Sequence, residues 1–401
     1  MVAEVKLALI HHAGRFGGAE KIALLHSIYL KKFGHDVDLF YSGPILEDWE
    51  KRVSKYVRIN NLPFGFPPHR KNIEDILGLV KSLKEFDRVI VHHHIEPLVG
   101  YYLSKMLSDK IVWYCGEPLR ALWEEHLTGT HYKDLSITVR STSRNFYGNS
   151  LTSLFLSDWL YGSTIQFLRS IDISTVRSYD DIIANSNYSR DVVRNIYGLR
   201  ERVEVVYPGV ERYGYDDDYD PVYSDFILAI GSFIPMKNYF NLLKAYKCFI
   251  KETGSNVKLV IVGDGPLRKH ILACLNRNKL KNVIMRSKIS EEELIDYYKT
   301  CKFVTHIAIN EAFGLIPVEA GLYEKPAIVS NMGGLRESVV DEESGFYVDP
   351  YDYKDVANYM TELSLNEDLC REMGRNAKRN VLDRFTIEKS TKEFEKLLIS
   401  S

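Results

Sequence analysis

Short apolar runs of three to five residues recur along this chain, and many of them lead into a loop and then a stretch at helical spacing. No other feature restricts the fold as tightly. Leu7-Ala8-Leu9-Ile10 ends at a polar, glycine-bearing loop. An apolar run this short, bounded by turn residues, reads as a strand buried on both faces, the habit of parallel sheets. From Ala19 to Phe33, residues Ile22, Ala23, Leu25, His26, Ile28, Tyr29 and Leu30 recur at largely helical spacing. Gly34 ends that helix and Val37 to Tyr41 makes the next strand. Val89-Ile90-Val91, Ile111-Val112-Trp113, Ile182-Ile183-Ala184 and Val203-Glu204-Val205-Val206 continue the series. Such alternation predicts a doubly wound α/β domain.

The pattern pauses and then starts again. Tyr213 to Tyr223, with Asp216-Asp217-Asp218 and Asp220-Pro221, reads as a linker. Phe226 to Ile230 opens a second α/β series, continued by Leu259 to Val262, Val283 to Met285, Phe303 to Thr305 and Ala327 to Val329. A chain of 401 residues exceeds one ordinary core, so two domains are predicted, 1–208 and 209–384. Net charge is −2, which gives no reason to expect nucleic acid as a partner. Five dispersed cysteines, Cys115, Cys248, Cys274, Cys301 and Cys370, suggest reduced thiols in a cytoplasm, not a disulfide framework or a zinc site. The first residues run directly into a strand without a signal-peptide layout, and no uncharged apolar run reaches the ~20 residues of a membrane span.

The chemistry concentrates at Asn310-Glu311-Ala312-Phe313-Gly314-Leu315-Ile316-Pro317-Val318-Glu319-Ala320. Two carboxylates lie eight positions apart. Gly314 reads as the start of a helix that carries Glu319, and Pro317 suits its first turn. First-turn N–H groups lack internal partners and the helix dipole favours an anion there, so a phosphate fits that end. A carboxylate on each side can grip hydroxyl groups. A sugar nucleotide offers both a diphosphate and neutral hydroxyls.

This segment resembles the Glu-x7-Glu signature of retaining glycosyltransferases of family four. Lys325 to Glu337, with Gly333-Gly334, is similar to the family's next strand, glycine pair and acidic residue. Gly345 to Pro350, Gly263-Asp264-Gly265-Pro266, Tyr207-Pro208-Gly209-Val210, Ala184-Asn185-Ser186 and Gly17-Gly18-Ala19-Glu20 follow in the family's order. The resemblance implies the GT-B fold: two doubly wound Rossmann-like domains facing across a cleft, with the last helix, within 385–401, returning to the first domain. It implies a nucleoside-diphosphate sugar as substrate, no cofactor and no metal.

By the same resemblance Glu319 holds ribose hydroxyls, Glu311 lies close to the donor sugar, and the backbone of Ala312, Phe313, Gly314 and Leu315 supplies donors near the sugar and diphosphate. Lys237, in Gly231-Ser232-Phe233-Ile234-Pro235-Met236-Lys237-Asn238, can neutralise the leaving diphosphate. Ser232 stands where the family usually has arginine; Arg15 and Arg286 are candidate replacements. Gly263 borders the nucleotide pocket, and Arg286 and Lys288 lie beside the base, with Ser287 where glycine is common. Gly17 and Gly18 form a first loop that faces the cleft; their spacing is not the dinucleotide fingerprint.

His92, His93 and His94 end a strand, with His92 and His94 on one face and His93 on the other by alternation. They read as histidines that line the cleft or support it. Tyr114 to Trp123 resembles a segment of mannosyltransferase-like members, which commonly carry a histidine near the reacting sugar where this chain has Gly116. Glu117 and Arg120 are the polar candidates there. Leu151 to Ile171 reads either as a core-facing helix or as an amphipathic element in peripheral contact with the inner face of a membrane.

The reading is a retaining hexosyltransferase that moves a sugar, with mannose from GDP-mannose as the first guess, to a glycan, lipid-linked or other hydroxyl acceptor. The alternative is a non-catalytic sugar-nucleotide-binding partner subunit, raised by Ser232 and Gly116. A product assay separates transfer from hydrolysis or epimerisation of the same donor.

Overall fold

A computed structural model describes residues 4–12, 17–43, 45–62, 73–93, 97–107, 109–119, 122–123, 158–199, 202–212 and 219–400. Arg15, His94, Arg120, the segment 213–218 of the expected linker and residues 151–157 lie outside the described residues. The chain divides into two units, residues 1–209 with 387–401, and residues 210–386.

The first unit holds a seven-stranded sheet: β1 (Lys6–His12), β2 (Asp36–Ser42), β3 (Arg58–Asn61), β4 (Arg88–His92), β5 (Ile111–Cys115), β6 (Asp181–Ala184) and β7 (Val203–Val205). Their spatial order is β3-β2-β1-β4-β5-β6-β7 and every pairing is parallel. Apolar runs such as Leu7 to Ile10 are buried along their whole length. That is why they show no alternation in the sequence. The helix Gly18–Lys32 packs against the C-terminal helix Ile387–Ser400. The joint includes polar contacts: His35 Nε2 lies 2.8 Å from Glu395 Oε1, and Ser390 Oγ donates to the Tyr207 carbonyl at 2.6 Å.

The expected alternation through His92, His93 and His94 stops early. β4 ends at His92, and His93 has a φ of +74°, a left-handed conformation that leaves the strand. His92 is buried in the core, its ring stacked on Tyr114 at 4.7 Å and edge-on to His26 and His11. The helix Asp158–Arg177 buries Asp172, Thr175 and Val176 and leaves Phe167 exposed. Arg169 Nε donates to the Leu122 carbonyl at 2.7 Å. Buried Asp172 accepts from Trp123 Nε1 at 2.7 Å and from the Tyr197 hydroxyl at 2.8 Å. Arg169, one of the two charges that interrupt the apolar pattern of Leu151 to Ile171, thus finds an acceptor inside the unit; the side chain of the other, Asp158, lies outside the described residues.

The second unit holds six parallel strands: β8 (Phe226–Ile230), β9 (Lys258–Val262), β10 (Val283–Arg286), β11 (Phe303–His306), β12 (Ala327–Ser330) and β13 (Gly345–Val348). Their order is β10-β9-β8-β11-β12-β13. Sequence order reverses between β8 and β11. In open α/β sheets the loops at the carboxyl ends of strands flanking such a reversal form a ready crevice.

Candidate active site

The two strands at the reversal carry the two groups that matter most. After β8, the turn Pro235–Lys237 presents Lys237; after β11, the loop from Ile307 presents Glu311. The loops are tied together, since Ile309 N–H donates to the Met236 carbonyl at 2.8 Å. Lys237 Nζ donates to Glu311 Oε2 at 2.6 Å. His306, at the end of β11, places Nε2 3.7 Å from the same oxygen. Burial alone raises the pKa of the Glu311 carboxyl; the charge of Lys237 and the neighbouring His306 outweigh it and hold the group well below the usual carboxylate range. Burial, and then the charge of Lys237, pushes the His306 imidazole down.

Glu311 leads into the helix Leu315–Leu322. Gly314 precedes it with a φ of +98°, and a Cβ there would run into the buried Leu335 side chain. Only glycine meets both conditions without strain. No side chain caps this helix, and Pro317 fills a first-turn place where an N–H would have no intrahelical acceptor. The loop is pinned from β12: Gly334 N–H donates to the Glu311 carbonyl at 2.7 Å, and a Cβ on Gly334 would overlap the Ala312 carbonyl. Phe313 is buried, edge-on to Phe385 at 5.3 Å. Close packing at Gly314 and Gly334 and the buried Phe313 ring thus help to fix the backbone of Ala312 to Leu315. Glu319 sits one turn into the helix, where the Tyr298 hydroxyl donates to its Oε2 at 2.7 Å. Tyr298 is buried and stacked on Tyr323. Burial first, and then the Glu319 charge, raises its phenol, so Tyr298 keeps the proton it donates.

The other expected residues of this unit lie at the same edge of the sheet. Ser232 is exposed in the loop after β8. Gly263 follows β9, and its N–H donates to the Arg286 carbonyl at 2.9 Å. Arg286 is exposed at the end of β10, with Nε 3.3 Å from the Tyr297 hydroxyl, and Lys288 is exposed beyond it. His306, Tyr298 and Tyr239 were missed by sequence reasoning. Tyr239 donates its hydroxyl to the Gly231 carbonyl at 2.9 Å and lies near enough to Glu311 to feel its charge. The one signal for His306 was a histidine directly after the run Phe303-Val304-Thr305.

In the first unit, Gly17 caps and Gly18 begins the helix Gly18–Lys32, again with no side-chain cap. Glu20, in its first turn, lies 3.7 Å from His11 Nε2, a pairing the sequence did not reveal. Glu117 is half-buried in the turn after β5. The space a side chain would take at Gly116 is met by the His93 ring, with Nδ1 2.9 Å from the ideal Cβ position. Among the described residues no three of His, Cys, Asp and Glu stand together as a set able to hold a metal ion. No described helix is long and apolar enough to cross a membrane.

With this geometry in hand, the likeness to known proteins is specific. Residues 221–380 match the model for glycosyl transferases group 1, and residues 16–212 match that for Glycosyltransferase Family 4. An uncharacterized glycosyltransferase of Methanocaldococcus jannaschii is 30% identical over 338 residues, covering 83% of this chain and 82% of that protein. The N-acetyl-alpha-D-glucosaminyl L-malate synthase of Bacillus anthracis is 21% identical over 94% of this chain and 93% of its own. Among solved structures, Anabaena HepE in complex with UDP and glucose superposes with a TM-score of 0.76 at 17% identity, covering 99% of this chain and all of the other. That superposition shows the GT-B fold. By family match and by descent, the chain belongs to the family-four glycosyltransferases and is a glycosyltransferase.

Proposed function

We propose that the enzyme transfers a hexose, with retention of anomeric configuration, from a nucleoside-diphosphate sugar bound in the second unit to a hydroxyl of a glycan, lipid-linked or related acceptor. The observation that carries this is the arrangement at the β8–β11 reversal. A lysine and a carboxylate meet at 2.6 Å beside an uncapped helix start, and a second carboxylate is oriented one turn away. The diphosphate takes the start of Leu315–Leu322 and Lys237; Glu319 takes the ribose hydroxyls; Glu311 and the backbone of Ala312 to Leu315 face the sugar. Ser232, Gly263, Arg286 and Lys288 border the nucleotide; Gly17, Gly18 and Glu117 are the candidate binding residues of the first unit.

When the glycosidic bond breaks, its electron pair moves to the β-phosphate oxygen. That charge develops where Lys237 and the helix start supply positive potential, so the chemistry as proposed needs no metal. The departing phosphate accepts the proton of the acceptor hydroxyl, whose oxygen bonds to the anomeric carbon on the face the phosphate leaves. Mannose from GDP-mannose is the first donor to test, on the likeness of Tyr114 to Trp123 to mannosyltransferase-like members. UDP-glucose and a nucleotide-activated N-acetylglucosamine follow, on the named relatives. All five cysteines are free thiols, in keeping with a reaction in the cytoplasm.

A thermal-shift screen against UDP-, GDP- and ADP-sugars tests the donor site, since a ligand at a hundred times its dissociation constant adds about 2.7 kcal/mol. Proton NMR of the product, with and without EDTA, then reads the anomer. An inverted product, or activity that EDTA abolishes and Mn²⁺ restores, overturns the mechanism. Binding without turnover favours a binding subunit instead.

A further inference from the structure

His306 stands behind the donor site with a polar atom that nothing satisfies. Its side chain is 4% exposed and Nε2 has no hydrogen-bond partner. That nitrogen lies 3.7 Å from Glu311 Oε2, beyond hydrogen-bond reach, and the same oxygen is held by Lys237 at 2.6 Å. On its other side the ring meets the Ile230 carbonyl. The charged and titratable groups around it are Lys237 from the turn after β8 and Glu311 from the loop after β11, with the Tyr239 phenol beside Glu311. Tyr239 keeps its proton, because burial and the Glu311 charge both raise it.

With Lys237 on Glu311, the carboxylate already has its counter-charge. A protonated His306 would then be a second cation in a dry place, so the imidazole is neutral. The donor-site reading above, on which this inference rests, asks Lys237 to turn toward a diphosphate. Glu311, 21% exposed, then loses its partner in a half-buried place, an arrangement that carries a desolvation penalty. The only change needed to restore balance is one proton on Nε2, which converts an unpartnered acceptor into a donor facing the carboxylate.

We propose that His306 is a positioning residue that takes up a proton as a nucleoside diphosphate binds, replacing Lys237 as the counter-charge of Glu311. The proton comes from solvent; Lys237 stays charged and Glu311 stays ionised. The device frees the lysine for the phosphates without leaving the carboxylate alone.

Calorimetry on the full chain tests this, with UDP, GDP and ADP at pH 7 in phosphate and in Tris, whose ionisation enthalpies differ. Wild type shows heats that differ between buffers in the sense of proton uptake. His306→Gln loses that difference, relative to wild type at the same pH, and its affinity stops rising toward acid as wild type's does. Comparing the two proteins cancels the titration of the nucleotide's own terminal phosphate. Histidine-labelled wild type gives a second readout by NMR, in which the His306 ring titrates at higher pH once nucleotide is added. Equal buffer dependence in both proteins, or an unchanged His306 titration, overturns the inference and leaves the donor site standing. Absence of binding by all three nucleotides overturns the donor site as well.

Discussion

Replacing Lys237 by alanine removes one cation from two balances at once. In the resting protein its Nζ donates to Glu311 Oε2 at 2.6 Å, and the Glu311 side chain is 21% exposed. Leaving a buried acceptor unpaired costs about 1–3 kcal/mol. Partial water access places Glu311 toward the lower end. For a unit the size of residues 210–386 this is a loss of about 2–4 °C in Tm per kcal/mol, which leaves the protein folded at assay temperature. Turnover falls much further, by roughly 10²–10³, as for one lost charge-assisted contact at a developing oxyanion. Lys237→Arg keeps the charge and retains part of the activity. Ser232→Arg, at an exposed position on the neighbouring loop, is tolerated and tightens nucleoside-diphosphate binding. Initial rates, with circular dichroism to show folding, measure all three. Normal turnover in Lys237→Ala together with lost binding in Ser232→Arg refutes the placement of the diphosphate.

Three further outcomes follow from other parts of the structure. Glu319→Ala weakens donor binding while Glu311→Ala lowers turnover more than affinity; Tyr298→Phe, which removes the 2.7 Å bond to Glu319, raises the nucleotide Kd by roughly fivefold, the worth of about 1 kcal/mol, and unchanged calorimetry in Glu319→Ala and Tyr298→Phe contradicts the ribose assignment. Gly314→Ala combines a left-handed φ with overlap onto Leu335 and costs roughly 2–5 kcal/mol, read as a lower Tm and lost nucleotide affinity; a variant that melts and binds like wild type refutes the argument from geometry. Burial lowers the His26 pKa from its ordinary 6.5 to about 3, so below pH 6.5 the unfolded chain takes a proton the native core refuses. Stability therefore falls as pH drops, with a slope for this group that grows from about 0.7 kcal/mol per pH unit at pH 6.5 toward about 1.4 near pH 5, and urea unfolding of His26→Leu over that range shows a slope shallower by that amount.

Much of the fold was legible because parallel strands buried on both faces leave unbroken apolar runs, as at Leu7 to Ile10 and Leu259 to Val262. The turn chemistry of Gly314 and Gly333-Gly334 was legible too, since a left-handed φ or a backbone approach leaves glycine as its trace. The partners were not. Lys237 and Glu311 are 74 positions apart, and only the β8–β11 reversal brings their loops together. His306 and Tyr298 look like ordinary strand and helix residues until burial and the carboxylates beside them are seen. Alternation misread His93 because period-two reasoning holds only while the strand lasts, and β4 ends one residue earlier. At Gly116 the missing side chain was visible in the sequence, whereas the His93 ring facing that space was not.

The central claim is a location: a diphosphate at the start of Leu315–Leu322 between Lys237 and the loop of Glu311, with its ribose on Glu319. A crystal structure of the protein with whichever of UDP, GDP or ADP binds most tightly tests it directly. The account predicts phosphate oxygens within hydrogen-bond distance of the Gly314 and Leu315 N–H groups and of Lys237 Nζ, and ribose hydroxyls on the Glu319 carboxylate beside Tyr298. A nucleotide ordered elsewhere, with Lys237 still on Glu311 and Glu319 touching only Tyr298, contradicts it.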